Sequence, residues 1–255
     1  MPRIKLVIEY DGSQYHGMQR QDNAHTVQAE LEKQIHRLTG ETISIMAAGR
    51  TDAGVHALGQ VIAFNTASSI PPDRWSLALN SFLPGDIRVL SSCLVSPVFH
   101  PQFHAASKHY AYRLYRQKTG AVFYRRYALC TAEPLNIGLM RQACQSIQGR
   151  HNFQSFCASG SGAKTFERTV SACRLQETGA LWQLDIEADG FLYNMVRIIM
   201  GTLLEVGRER IPAEAMPAII QSRNRSLAGP TAPGHGLYLV AVCYPPDAYI
   251  GEKLD

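Results

Sequence analysis

Residues Gly49 to Phe64 read GRTDAGVHALGQVIAF. The first half sets Arg50, Thr51 and Asp52 beside Ala53 and Gly54. The second half, Leu58 to Phe64, reads as a strand, and Ile43 to Ala48 before it reads as another. The stretch is therefore a lone acid on a tight turn between two strands. A loop aspartate often serves only to satisfy nearby N–H groups. Gly54 also lets the backbone approach a ligand closely, and Arg50 points away from Thr51 if the strand continues.

Working outward, Ile4, Leu6, Ile8 and Tyr10 alternate with Lys5, Val7 and Glu9, the pattern of a half-buried strand. Thr26 has the chemistry of an N-cap. Val27, Leu31, Ile35 and Leu38 follow at helical spacing, and Gly40 closes the helix. Asp73 to Phe82 reads as a second helix and Ile87 to Leu94 as a fourth strand. The order is β-α-β-β-α-β. The second half repeats it: strand His109–Arg116, helix Pro134–Gln148, strands Phe166–Leu175 and Leu181–Glu187, a helix carrying Leu192 to Leu203, and strand Leu237–Tyr244, with an added helix at Ala213–Ser222. The expected class is α+β: two ferredoxin-like halves, residues 1–100 and 101–255, joined into one large, mostly antiparallel sheet with helices on one face. Element order alone supports this duplication, since no residue-level repeat is present.

Composition narrows the function. Nineteen of the 25 basic residues are arginine, whose planar fork suits phosphate and base stacking. Ile87 to Ala132 contains no Asp or Glu. It holds Arg88, Lys108, Arg113, Arg116, Lys118, Arg125 and Arg126 among eight Phe and Tyr residues. Charge interleaved with aromatics fits a surface that grips a nucleic-acid backbone; core aromatics with solvated arginines are the alternative. The opening MPRIKLVIEYDG puts Glu9 and Asp11 where a secretory leader needs apolar residues. The run Phe191–Leu204, broken by Arg197, is too short to span a bilayer. Six scattered cysteines without a C-x-x-C pair fit a reducing cytoplasm. His100, His104 and His109 have no acid or cysteine near them, so no metal site is expected. ASGSGAKT, residues 158–165, lacks the glycines of a phosphate loop and precedes a strand, which argues against a nucleotide triphosphate site.

GRTDAGVHALGQV resembles the signature of the tRNA pseudouridine synthase A family. VIEYDGSQYHGMQRQ (7–21), LNSFLPGDIRV (79–89), FHAASKHYAYRLY (103–115) and GFLYNMVRIIMGTLLEVG (190–207) resemble its other segments, in order, over nearly the whole chain. Met18 stands where the family commonly has tryptophan. The resemblance implies a pseudouridine synthase fold and isomerisation of uridine at positions 38, 39 and 40 of the tRNA anticodon stem-loop. It further implies a homodimer and no cofactor. The family's catalytic aspartate falls on Asp52, its substrate-contacting tyrosine on Tyr110 and its basic partner of the aspartate on Arg197. Arg50 is expected to contact phosphate or help open the stem. Without the resemblance, alternation with Tyr112 and Leu114 reads Tyr110 as core. Arg197 is the only charge between Phe191 and Leu204, and pairing with Asp52 would hold that carboxyl ionised. The competing reading is an RNA-binding module of this fold without activity.

Overall fold

The computed structural model describes residues 1–117, 119 and 121–246. Lys118 of the basic stretch and residues 247–255 of the second half lie outside them. The described chain forms two compact units: Met1–Ala106 with the residues from Leu239 onward, and Ser107–Tyr238.

In the first unit, β1 (Arg3–Tyr10) lies between β3 (His56–Asn65) and β4 (Ile87–Val95), antiparallel to both, and β2 (Met46–Ala47) adds to β3. Burial along β1 alternates strictly: Ile4, Leu6, Ile8 and Tyr10 are inside, while Arg3, Lys5, Val7 and Glu9 are part-exposed. The buried face belongs to one core with Leu31 and Ile35 of α1 (Val27–Thr39) and Trp75 of α2 (Trp75–Asn80). Trp75 meets Phe64 edge-on, with ring centroids 5.0 Å apart. The opposite face is not wholly bare. Ala63, Val95 and Phe99 form a small buried cluster there, joined by Met46, Cys93 and Tyr244.

The Thr26 side chain accepts from Ala29 N, and Gly40 ends α1 in the left-handed region. Thr26→Ala is expected to cost about 1 kcal/mol, read as a lower midpoint in urea with an unchanged slope. The strand expected at Ile43–Ala48 shrinks to Met46–Ala47, because the side chain of Glu32 in α1 takes the backbone donor just before it. Ile45 N goes to Glu32 Oε1 at 3.1 Å. The expected helix 73–82 contracts to α2, which has no side-chain cap and is followed by Pro84.

In the second unit, β5 (Ser107–Tyr115), β9 (Leu181–Ala188), β8 (Glu167–Thr178) and β7 (Gly149–Asn152) are neighbours in that order and antiparallel. β6 (Leu129–Cys130) runs parallel beside β5. Tyr110, Tyr112 and Leu114 stand opposite Ile186, Leu184 and Trp182, all buried, so one face of this sheet is core. Three helices accompany it: α3 (Ile137–Ile147), packed on β8; α4 (Met195–Gly207), packed on α3; and α5 (Met216–Ser222). The helix expected from Pro134 starts after Asn136, whose side chain caps Leu139 N. α4 starts three residues after Leu192, because Asn194 has φ 61° and interrupts the helix. The last strand, β10 (Leu237–Cys243), neighbours β3; Gly59 of β3 lies against the Val240 backbone.

Candidate active site

Asp52 opens a four-residue turn closed by Val55 N donating to the Asp52 carbonyl at 3.1 Å. Gly54, third in the turn, has φ +73°, the value such a turn demands of that position and the reason a glycine stands there. The loop is braced from the segment after β1. Met18 N donates to the Thr51 carbonyl at 3.0 Å, and Gly54 N to the Tyr15 carbonyl at 3.2 Å. Thr51 is buried and its hydroxyl shares a 2.8 Å hydrogen bond with Tyr10 Oη. Burial pushes the Tyr10 hydroxyl up to about 12, with hydrogen bonds to Thr51 and Gln60 pulling the other way, so it stays protonated at neutral pH. Gln60, fully buried, donates from Nε2 to the Gly49 carbonyl at 2.8 Å. The backbone is thus tied down on both sides of a half-buried Asp52, while Arg50 is exposed.

Three further residues of this brace escaped the sequence reading. His56 is 2% exposed, and its Nδ1 lies 3.1 Å from both Gly12 N and Asp11 Oδ1. A neutral ring accepts from Gly12; a protonated ring donates to Asp11 instead. The third is Asp86, whose carboxylate accepts from Tyr15 Oη at 2.8 Å while its carbonyl accepts from Asp11 N at 2.9 Å. The signal for Asp11 and Asp86 was the segment 7–21 with LNSFLPGDIRV, and for His56 the stretch GRTDAGVHALGQV, legible as a resemblance but not as a mechanism.

In the second unit, Tyr110 is 7% exposed and meets the Phe191 ring edge-on at 5.0 Å. Two residues earlier, Lys108 is partly buried. Burial, and then the charge of Arg168, lower its pKa to about 8. Arg197 stands in the first turn of α4 and is half-buried. Its Nη1 donates to Asn194 Oδ1 and its Nε to the Ala232 carbonyl, both at 2.7 Å. Ala232 N returns a bond to the Arg197 carbonyl at 3.0 Å. Asn194 therefore spends its side chain on the guanidinium and caps nothing. The Arg197 charge also reaches Tyr112, whose hydroxyl is pushed up by burial and pulled partly back by that charge.

The acid-free stretch is less uniform than its composition. Arg88 turns onto the carbonyls of Pro84 and Ile87. In the other unit, Arg113 stacks on Tyr238 at 4.1 Å and Arg116 on Trp182 at 4.7 Å. Arg125 and Arg126 are exposed, alongside exposed Phe123, Tyr124 and Tyr127. His100 and His104 close a turn: His104 Nδ1 accepts from His100 N, and His100 Nδ1 from Gln102 N, both at 3.2 Å. Among the described residues, no group of three or more His, Cys, Asp or Glu side chains is placed to hold a metal ion, and no helix is long and apolar enough to cross a membrane.

A carboxylate fixed on a turn beside a buried threonine, on an α+β framework, does not by itself separate an enzyme from a passive binder. Comparison with known proteins gives the class. The profile of the tRNA pseudouridine synthase family matches residues 6–104 and 143–245. The tRNA pseudouridine synthase A of Syntrophomonas wolfei is 60% identical over 248 residues, covering 97% of this chain and 100% of that protein. Those of Moorella thermoacetica and Bacillus subtilis are 50% and 44% identical, over 96% and 95% of this chain and 100% and 99% of theirs. The chain belongs to the tRNA pseudouridine synthase family, which are isomerases.

Proposed function

We propose that this protein isomerises uridine to pseudouridine at positions 38, 39 and 40 of the tRNA anticodon stem-loop, with Asp52 as the essential catalytic residue. The observation that carries this reading is Asp52 itself, held on a turn braced from Tyr10, Tyr15 and Met18 within a segment matched by the family. In the reaction the N1–C1′ bond breaks and a C5–C1′ bond forms, while C5 loses a proton and N1 gains one. Atoms and electrons balance, so the step calls for no cofactor. A uridine within a stem must leave the stack before its C1′ or C6 can be reached. A carboxylate attacking either atom needs to be ionised and near it. We assign Tyr110, Arg50 and Arg197 to substrate binding: Tyr110 stacking on the target base, Arg197 as the counter-charge of Asp52, Arg50 on the phosphate backbone. The same reading gives a cytoplasmic homodimer that binds the anticodon arm.

The test is to incubate an unmodified tRNA transcript with the protein and map pseudouridine by carbodiimide adduct formation and reverse transcription. Stops at 38, 39 or 40 are expected; a transcript unmodified there at saturating protein contradicts the reading. Phosphate contacts should also make tRNA affinity fall steeply with salt, by roughly 0.7 to 0.9 log units per contact per tenfold rise in salt. A flat response in filter retention would remove the electrostatic part.

A further inference from the structure

The Gly/Ser loop 157–164, left without a role above, forms one wall of a cavity of about 740 Å³ within the second unit. Its lining includes Gln154, Ser159, Gly160, Arg223, Arg225 and Thr231, and no Asp or Glu. We propose that this cavity is a binding site for a backbone phosphodiester of the RNA substrate, on a nucleotide flanking the target uridine. The inference rests on the function proposed above.

The donors are present and only partly used. A guanidinium offers five N–H donors. Arg225 uses two of them on neighbours of its own loop, the Ala228 carbonyl and Thr231 Oγ1, both at the long distance of 3.3 Å. Those bonds aim the guanidinium without saturating it. Arg223 is exposed, and Glu167, which feels its charge, is already engaged by Arg150 at 2.5 Å. The N–H groups of Ser159 and Gly160 meet no backbone acceptor among the described residues. Two guanidinium groups, loop N–H groups and the Ser159 hydroxyl, without a carboxylate in the lining, are the recognition chemistry of a phosphate.

Two walls of the cavity hang from the start of α4. Ala158 N donates to the Tyr193 carbonyl at 3.1 Å, one residue before Asn194. Thr231 precedes Ala232, which exchanges bonds with Arg197. The strap leading to it is fixed again by Gly229 N donating to Thr202 Oγ1 at 2.8 Å. A phosphate seated here is therefore registered against Arg197 through a short run of bonds. It would position the RNA backbone while carrying no sequence information, which suits an enzyme acting on neighbouring positions of many tRNAs.

The test uses the double variant Arg223→Asn/Arg225→Gln, in which asparagine tolerates the left-handed backbone at position 223 (φ 52°). Retention of unmodified tRNA on filters and pseudouridine formation are measured on the same preparations. Affinity is expected to fall about tenfold or more, KM to rise in step, and the single-turnover rate at saturating tRNA to stay within about twofold. The slope of log affinity against log salt should become shallower by roughly one unit. The variant Arg225→Lys, which keeps the charge, should restore most of the slope. Affinity and slope equal to wild type would overturn the proposal, as would a loss confined to the single-turnover rate. Failure of wild type to make pseudouridine would instead sink the function proposed above, and the binding comparison reads this site without any turnover.

Discussion

Asp52→Ala is expected to lower pseudouridine formation at least about ten-thousand-fold, the scale seen when an enzyme loses an essential catalytic side chain. The loss should sit in turnover, with tRNA affinity within about twofold of wild type. The turn should survive, because the bonds around it come from backbone groups and from Tyr10, Thr51 and Gln60, none of which the substitution removes. Nor can a neighbour take over. Of the acids in the brace, Asp11 already accepts from Ser13 N at 2.9 Å and faces His56, and Asp86 accepts from Tyr15 Oη at 2.8 Å. Nuclease digestion and chromatography of the reacted tRNA, beside filter retention, separate turnover from binding. Activity within about tenfold of wild type would remove the assigned role.

The second large effect comes from a residue that carries no side chain at all. Gly17 has φ +93° and lies directly against the Asp52 loop. A methyl group there would overlap the Thr51 carbonyl oxygen and stand 3.2 Å from the Asp52 carbonyl carbon. Those atoms are backbone and cannot swing aside. Gly17→Ala therefore combines left-handed strain of about 1–3 kcal/mol with displacement of the turn. We expect a stability loss of about 2–4 kcal/mol and, in the molecules that still fold, a fall in kcat larger than any rise in KM. Gly85→Ala is the control, since nothing lies within 4 Å of the added methyl. It should change the unfolding midpoint and kcat little. Equal behaviour of the two variants would show that the brace does not hold the loop.

Much of this was legible in the sequence, for physical reasons that differ by segment. β1 and β9 each bury one face, so their alternation appears directly in Ile4-Leu6-Ile8-Tyr10 and Trp182-Leu184-Ile186. α1 carried both of its end signals, Thr26 and Gly40. β7, with the sequence GRHN, has no apolar alternation and exists because β8 offers a pairing edge, so no local signal announced it. The strand expected at 43–48 was shortened by Glu32, which lies outside it in sequence and takes the Ile45 N–H. At the site, Asp52 was conspicuous as an acid on a glycine-flanked turn. Its support was not, since Tyr10, Tyr15, Met18 and Gln60 reach the loop only after the chain folds back. Composition overstated the stretch 87–132, where Arg88, Arg113 and Arg116 are spent on carbonyls and aromatic rings of their own unit.

Release of tritium from a tRNA transcript labelled at uridine C5 tests the central claim most directly, because forming the C5–C1′ bond must expel that hydrogen. Wild-type protein is predicted to release it in amounts matching the target uridines, and Asp52→Asn, which keeps the size of the side chain without its charge, to release none above background. Equal release by both proteins, or none from wild type at saturating concentration, would contradict the account.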